Sequence, residues 1–241
     1  MPSSTFARFG AAAAACFACS TPVAHAADGG LAFGSPTAAA PAAGDAGTLF
    51  VKTAVILGRT LRVQVTMAHG QPGRQVIVQR QEKDGDWVPT ATATTTDGGA
   101  FTATWKTDHI GRFPIRALPS PTPGVSAASV PSTGTTPVTV YRQSVATYFG
   151  PGFFGQQTAC GQTLRKTTLG VAHRALPCGT LVDLYYKGRS ITVPVIDRGP
   201  FRKDTTWDLT SATADALGVT STVRIGALRM PKAAAAAAST R

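Results

Sequence analysis

Acid–base chemistry needs an ionisable side chain delivered to a groove by a rigid element, and few residues of this chain qualify. There is a single glutamate, Glu82, on a turn in the first half. After residue 143 the acids are Asp183, Asp197, Asp204, Asp208 and Asp215, and the one histidine is His173. Asp183 alternates with apolar neighbours, while Asp204 and Asp215 read as surface charges. Asp197 ends the apolar run Ile191 to Ile196 and begins an Arg-Gly-Pro turn, so a strand buries its stem and presents its carboxylate at a corner. The plainer alternative is an aspartate that accepts turn amides. Asp208 stands two residues before a helical stretch, where capping and the helix dipole, worth up to about 1 kcal/mol, offer a structural reason for an acid. His173 suits a proton shuttle or a hydrogen-bond donor.

The remaining reactive inventory is four cysteines, and the compartment decides their chemistry. Residues 1–26 read as a signal peptide: Arg8 supplies a thin positive start, Phe6 to Val23 is small and apolar, and Ala24-His25-Ala26 fits a small-x-small cleavage site. The run is short for a spanning helix and contains Ser20, Thr21 and Pro22, so no integral membrane segment is expected after cleavage near Ala26. Cys16-Phe-Ala-Cys19 makes a poor lipidation box. Removal of that segment leaves Cys160 and Cys178. An even pair in an exported chain reads as a disulfide, ahead of two buried thiols and well ahead of a Cys160–His173 nucleophile. One histidine and a paired disulfide form no ligand cluster, so neither a metal nor another cofactor is expected.

Of the segments outside these groups, residues 27–47 are rich in Ala, Gly and Pro and read as a flexible linker. Residues 48–142 then show short alternating runs. Leu61 to Met67, Arg74 to Arg80, Trp87-Val88, Ala91 to Thr95, Ala100 to Lys106, Arg112 to Ala117 and Pro137 to Arg142 give about seven strands. Asp84-Gly85 and Asp97-Gly-Gly99 punctuate them as hairpins. This pattern predicts an immunoglobulin-like antiparallel β-sandwich, with a Pro/Ser/Thr-rich loop over 119–136. Trp87, Phe101 and Trp105 fit sandwich core and edge better than a sugar platform, and His69 and His109 fit solvated turns.

Residues 143–230 change texture. Strands are expected at 145–149, 180–186, 190–196 and 223–228, with a short helix over 211–217 capped by Thr210 and stopped by Gly218. Residues 231–241, a Lys/Ala tail, have nothing to bury and are expected to be disordered. The chain carries 23 basic against 12 acidic residues, a net charge of +11, which favours an anionic polymer as neighbour. The bases are scattered and no nucleic-acid motif accompanies them, so nucleic acid is not the expected partner.

Within this second half the phrases Ala146-Thr-Tyr-Phe-Gly-Pro-Gly152, Thr158-Ala-Cys-Gly-Gln162, Val171-Ala-His173, Leu176-Pro-Cys-Gly-Thr180, Asp197-Arg-Gly-Pro-Phe201 and Asp208-Leu-Thr210 occur in order. Together they resemble the rare lipoprotein A (RlpA)-like family, related to expansins and lytic transglycosylases. The resemblance implies a six-stranded double-psi β-barrel with a short helix, so that the whole chain is mainly β. It implies a secreted, cell-envelope protein, expected to be monomeric, acting on or binding peptidoglycan or a related wall polysaccharide. In the transglycosylase branch it implies a catalytic trio of a glutamate, the histidine at His173 and the aspartate at Asp197. This chain has Gln162 where the glutamate would stand, and Gln cannot take a proton. In the expansin branch both Asp197 and Asp208 correspond to groove acids. Asp197, His173 and Asp208 are therefore the candidate catalytic residues, and Gln162, Tyr148, Thr158 and Arg198 the candidate sugar contacts. A glycan-binding or wall-loosening module without catalysis is the alternative reading.

Overall fold

The computed structural model describes residues 42–44, 47–121, 123–126, 128 and 130–231. The expected signal peptide, most of the linker and the tail beyond Pro231 lie outside them. The first half forms β1 (Ala42–Gly44), β2 (Gly47–Val51), β3 (Ala54–Ile56), β4 (Thr60–Met67), β5 (Gln75–Gln81), β6 (Trp87–Thr94), β7 (Ala100–Lys106), β8 (Gly111–Pro119) and β9 (Thr136–Phe149). One sheet runs β1-β2-β4-β7, and β6-β5-β8-β9 forms a second, with β3 parallel to the start of β9. In β4 the alternation is strict, with Leu61, Val63, Val65 and Met67 buried and the residues between them exposed. Their partners in the shared core include Val76, Val78, Phe101, Trp105, Phe113 and Ile115.

Three sequence expectations change. Residues 42–44, assigned to the linker, pair with β2. The two runs at 87–88 and 91–95 are one strand, β6. Asp84-Gly85 does turn a hairpin between β5 and β6, but Asp97-Gly-Gly99 does not, because β6 pairs with β5 and β7 with β4 in the other sheet. Gly99 serves that crossover by close approach: a Cβ there would lie 2.6 Å from the Gly70 Cα. Phe101 and Trp105 are buried in the core, so no three-aromatic platform forms, while Trp87 lies under the Arg116 guanidinium at 4.0 Å.

The second half adds β10 (Val171–Ala172), β11 (Leu181–Tyr186), β12 (Arg189–Asp197), β13 (Trp207–Thr210), helix α1 (Ser211–Leu217) and β14 (Val223–Arg229). The order β13-β10-β12-β11-β14-β9 closes on itself because β9 also pairs with β13, giving a six-stranded barrel. The β9–β13 and β10–β12 pairs are parallel and the others antiparallel. Leu184, Val193, Val195, Leu209, Leu217 and Ile225 fill its interior. Thr210 accepts the Thr213 amide at 3.2 Å and Gly218 ends the helix at φ 74°, as expected.

No linker separates sandwich from barrel. β9 is one strand of 14 residues, whose first part pairs with β8 and β3 and whose second part pairs with β14 and β13. The seam beside it is polar: Asp183 of β11, buried, accepts from Arg112 of β8 at 2.6 Å and from the Tyr141 hydroxyl at 3.1 Å. Tyr141 also stacks on Tyr185, with ring centres 5.2 Å apart.

Candidate functional site

The site is assembled by β10, the two-residue strand that threads between β12 and β13. Ala172 pairs with Asp197 on one side and with Asp208 on the other, and Asp208 pairs in turn with Thr147 of β9. Asp197, Ala172, Asp208 and Thr147 therefore form a row across four neighbouring strands. The two aspartates stand two strand spacings apart, roughly 10 Å between backbones. The residue between them carries only a methyl group. β10 can lie this close to β12 because Gly170 has no side chain: a Cβ there would meet Ile196 at 2.7 Å.

Each acid is oriented from a different direction. Asp197 Oδ1 accepts the amides of Ala159 and of Arg198, both at 2.8 Å, leaving Oδ2 without a partner among the described residues. The Ala159 amide belongs to the turn Thr158–Gln162, closed by Thr158 N donating to the Gln162 carbonyl at 2.7 Å. Cys160 in that turn is bonded to Cys178, so the disulfide secures the turn whose amide holds Asp197. Asp208 Oδ1 accepts the Thr147 hydroxyl at 2.7 Å. It does not cap α1, which uses Thr210, so the structural reason the sequence offered for this acid is not the one realised. Burial pushes the Asp208 carboxyl above its ordinary value; the bond from Thr147 opposes it, and the charge of Asp197 adds a smaller push upward. Neither aspartate forms an ion pair with Lys, Arg or His among the described residues.

His173 follows Ala172 and sits beside this row. Its backbone amide donates to the Asp197 carbonyl at 3.1 Å, and its ring packs on Trp207 with centres 4.6 Å apart. Nδ1 accepts the amides of Ala175 and Leu176 at 3.1 and 3.0 Å. That pattern assigns the proton of the neutral ring to Nε2, which makes His173 a hydrogen-bond donor at its free nitrogen rather than a base. Burial first, then Arg174 and Arg198, hold its pKa below the ordinary histidine value, so the ring is neutral at neutral pH.

The other sequence candidates divide. Arg198 is committed to the loop after His173: its guanidinium donates to the Leu176 carbonyl at 3.0 Å, the His173 carbonyl at 3.4 Å and Cys178 Sγ at 3.2 Å. Thr158 is buried, with its hydroxyl unpartnered. The Gln162 side chain is exposed and makes no hydrogen bond among the described residues. Tyr148 is exposed, and its hydroxyl leans 3.5 Å from the Thr220 carbonyl, while its neighbour Thr147 serves Asp208. Sequence reasoning missed Thr147 and Arg174. Arg174 donates to the carbonyls of Pro200, Arg202 and Thr205, contacts that no local spacing announces. No group of three His, Cys, Asp or Glu among the described residues is arranged to hold a metal.

A closed six-stranded barrel carrying two acids without a cation partner agrees with the barrel that the RlpA-like resemblance implies. Residues 142–230 match the family model described as lytic transglycolase. The chain is 37% identical over 115 residues to the probable endolytic peptidoglycan transglycosylase RlpA of Synechocystis, covering 46% of this chain and 35% of that protein. It is 38% identical over 72 residues to the endolytic peptidoglycan transglycosylase RlpA of Campylobacter jejuni, covering 29% and 26%. The match thus spans about a third or less of the length of these relatives. Among solved structures, the Streptomyces papain inhibitor aligns with 36% of this chain and 93% of its own, at 26% identity and a TM-score of 0.29. No helix among the described residues is long and apolar enough to cross a membrane.

Proposed function

We propose that the barrel binds the glycan strand of peptidoglycan across the row Asp197–Ala172–Asp208 and cleaves it by lytic transglycosylation, in the cell envelope after export. The observation that carries this reading is the pair of acids in register on either side of Ala172, neither of them ion-paired to a cation among the described residues. An acid pair without a cation partner is costly to keep and is suited to sharing protons with a substrate.

The chemistry assigns the roles. Asp208, which keeps its proton to higher pH, protonates the glycosidic oxygen as the bond from C1 breaks. The Asp197 carboxylate, fixed by two amides, stabilises the positive charge that develops on the sugar ring. The sugar's own C6 hydroxyl then attacks C1 and returns its proton to Asp208. No water is consumed, so no second base to activate water is required. His173 donates from Nε2 to a sugar oxygen, and Gln162 and Tyr148 lie on exposed surface from which they can contact the strand.

Gln162 favours a second reading, in which the barrel binds without cutting. It is exposed and unpartnered, in the place where the resemblance implies a glutamate. Purified sacculi incubated with the full chain decide between the two. Mass analysis is expected to show anhydromuramic ends released by the natural protein and absent with Asp197→Asn. If the natural protein sediments with sacculi but only Gln162→Glu generates such ends, the binding reading holds. Absence of both binding and cleavage overturns the wall assignment.

A further inference from the structure

Residues 198–206 connect β12 to β13, and so join the two aspartates directly: Asp197 is the last residue of one strand and Asp208 the second of the next. At the middle of this loop Phe201 is 83% exposed, more than any other large apolar residue described. An exposed phenylalanine alone says little, since folded surfaces carry many apolar atoms. What sets this one apart is the rigidity of its support. The Arg174 guanidinium gathers the carbonyls of Pro200, Arg202 and Thr205, the latter two at 2.6 and 2.7 Å, which fixes the backbone on both sides of Phe201. Arg174 itself follows His173, so loop and histidine share an anchor. The ring lies along its own loop rather than in the core: a Cβ placed on Gly199 would be 3.7 Å from Phe201 Cε2.

We propose that Phe201 is a stacking platform for a sugar ring of the strand held at Asp197 and Asp208, and that Arg174 is the positioning residue that presents it. The proposal rests on the glycan reading above. Three charge-assisted hydrogen bonds onto one surface loop exceed what covering an apolar side chain would need, because Phe201 is not covered. A rigid aromatic face offers the apolar side of a pyranose ring contact area with little ordering cost, and it does so beside the acids. The Arg fork is essential to the device, since a lysine ammonium cannot span three carbonyls as a planar guanidinium does.

The test uses the full chain carrying Asp197→Asn, so that binding is read without cleavage, and purified sacculi as the probe. Phe201→Ala is expected to weaken sedimentation binding by roughly tenfold, the order expected for losing burial of a phenyl face, with an unchanged melting temperature because the ring is exposed. Phe201→Trp is expected to keep binding. Arg174→Met and Arg174→Lys are expected to lose a comparable share, and the double variant Phe201→Ala/Arg174→Met to bind no worse than Phe201→Ala alone. That non-additivity separates positioning of Phe201 from a general structural role. If the parent binds and Phe201→Ala binds equally well, the platform is overturned while the glycan reading stands. If Phe201→Ala weakens binding but Arg174→Met adds a further independent loss, the positioning role is overturned. If neither this parent nor the natural chain binds, both readings fall.

Discussion

The sandwich and the barrel each gather charged side chains, and they treat them in opposite ways. In the sandwich, Arg80 is buried between Trp105 and Phe113, 5.5 and 5.6 Å from their ring centres. It bonds Glu82 at 2.8 Å and Asp108 at 2.6 Å, and His109 at 3.2 Å completes the group. Every charge in that group has an internal partner. In the barrel, Asp197 and Asp208 have amides and a hydroxyl for partners but no cation, while nearby Arg174 and Arg198 spend their donors on backbone carbonyls. A neutralised cluster holds a fold together. Acids left uncompensated beside arginines that turn away from them are available to something outside the chain.

Substitutions sharpen that contrast, beginning with the largest effect. Asp197→Asn is expected to lower the rate of anhydromuramic end formation by roughly two to three powers of ten, the usual scale for losing a fixed group that stabilises transition-state charge. Sacculus binding is expected to persist. Equal rates for variant and parent would remove Asp197 from the chemistry.

Opening the disulfide comes next. Cys160→Ala/Cys178→Ala is expected to cost roughly 3 kcal/mol in denaturant unfolding. It should also weaken glycan binding, because the turn carrying the Ala159 amide loses its tether. Titration of the unreduced protein under denaturing conditions should find no free thiol from this pair. Two reactive thiols would refute the bridge.

The sandwich cluster supplies the counterpart. Arg80→Met is expected to destabilise by roughly 2 kcal/mol, since it strands two acids that remain partly solvated. Binding measured at a temperature where the variant is folded should be unchanged. A binding loss as large as that of a barrel substitution would mean that the two regions do not divide function and support in this way.

The smallest effect is one of sign. Asp208 is raised above its ordinary carboxyl value by burial and by Asp197, so the folded state holds its proton to higher pH than the unfolded chain does. Its contribution to stability is therefore best below the ordinary carboxylate range and declines as pH rises through the folded value. Asp208→Asn, which keeps an acceptor for Thr147 and carries no charge, is expected to melt slightly higher than the parent at neutral pH. The advantage should vanish in acid. A variant that melts lower at neutral pH would contradict the proposed ionisation.

The β character of both halves, the helix with its Thr210 and Gly218 caps, the paired cysteines and the short list of acids were all legible in the sequence. Each depends on local periodicity, on a residue's intrinsic geometry, or on counting. The tertiary structure decided the rest. Asp208 looked like an acid serving a helix start because a helical stretch follows two residues beyond it; only the pairing of β13 with β9 supplies Thr147 as its partner. Asp183 looked like an ordinary strand acid until β8, some 70 residues earlier in the chain, placed Arg112 upon it. Arg198 looked available to substrate until the chain folded its guanidinium onto the loop after His173. A sequence discloses which groups can ionise or donate, but long-range register determines which of them find partners inside the protein and which are left for a ligand.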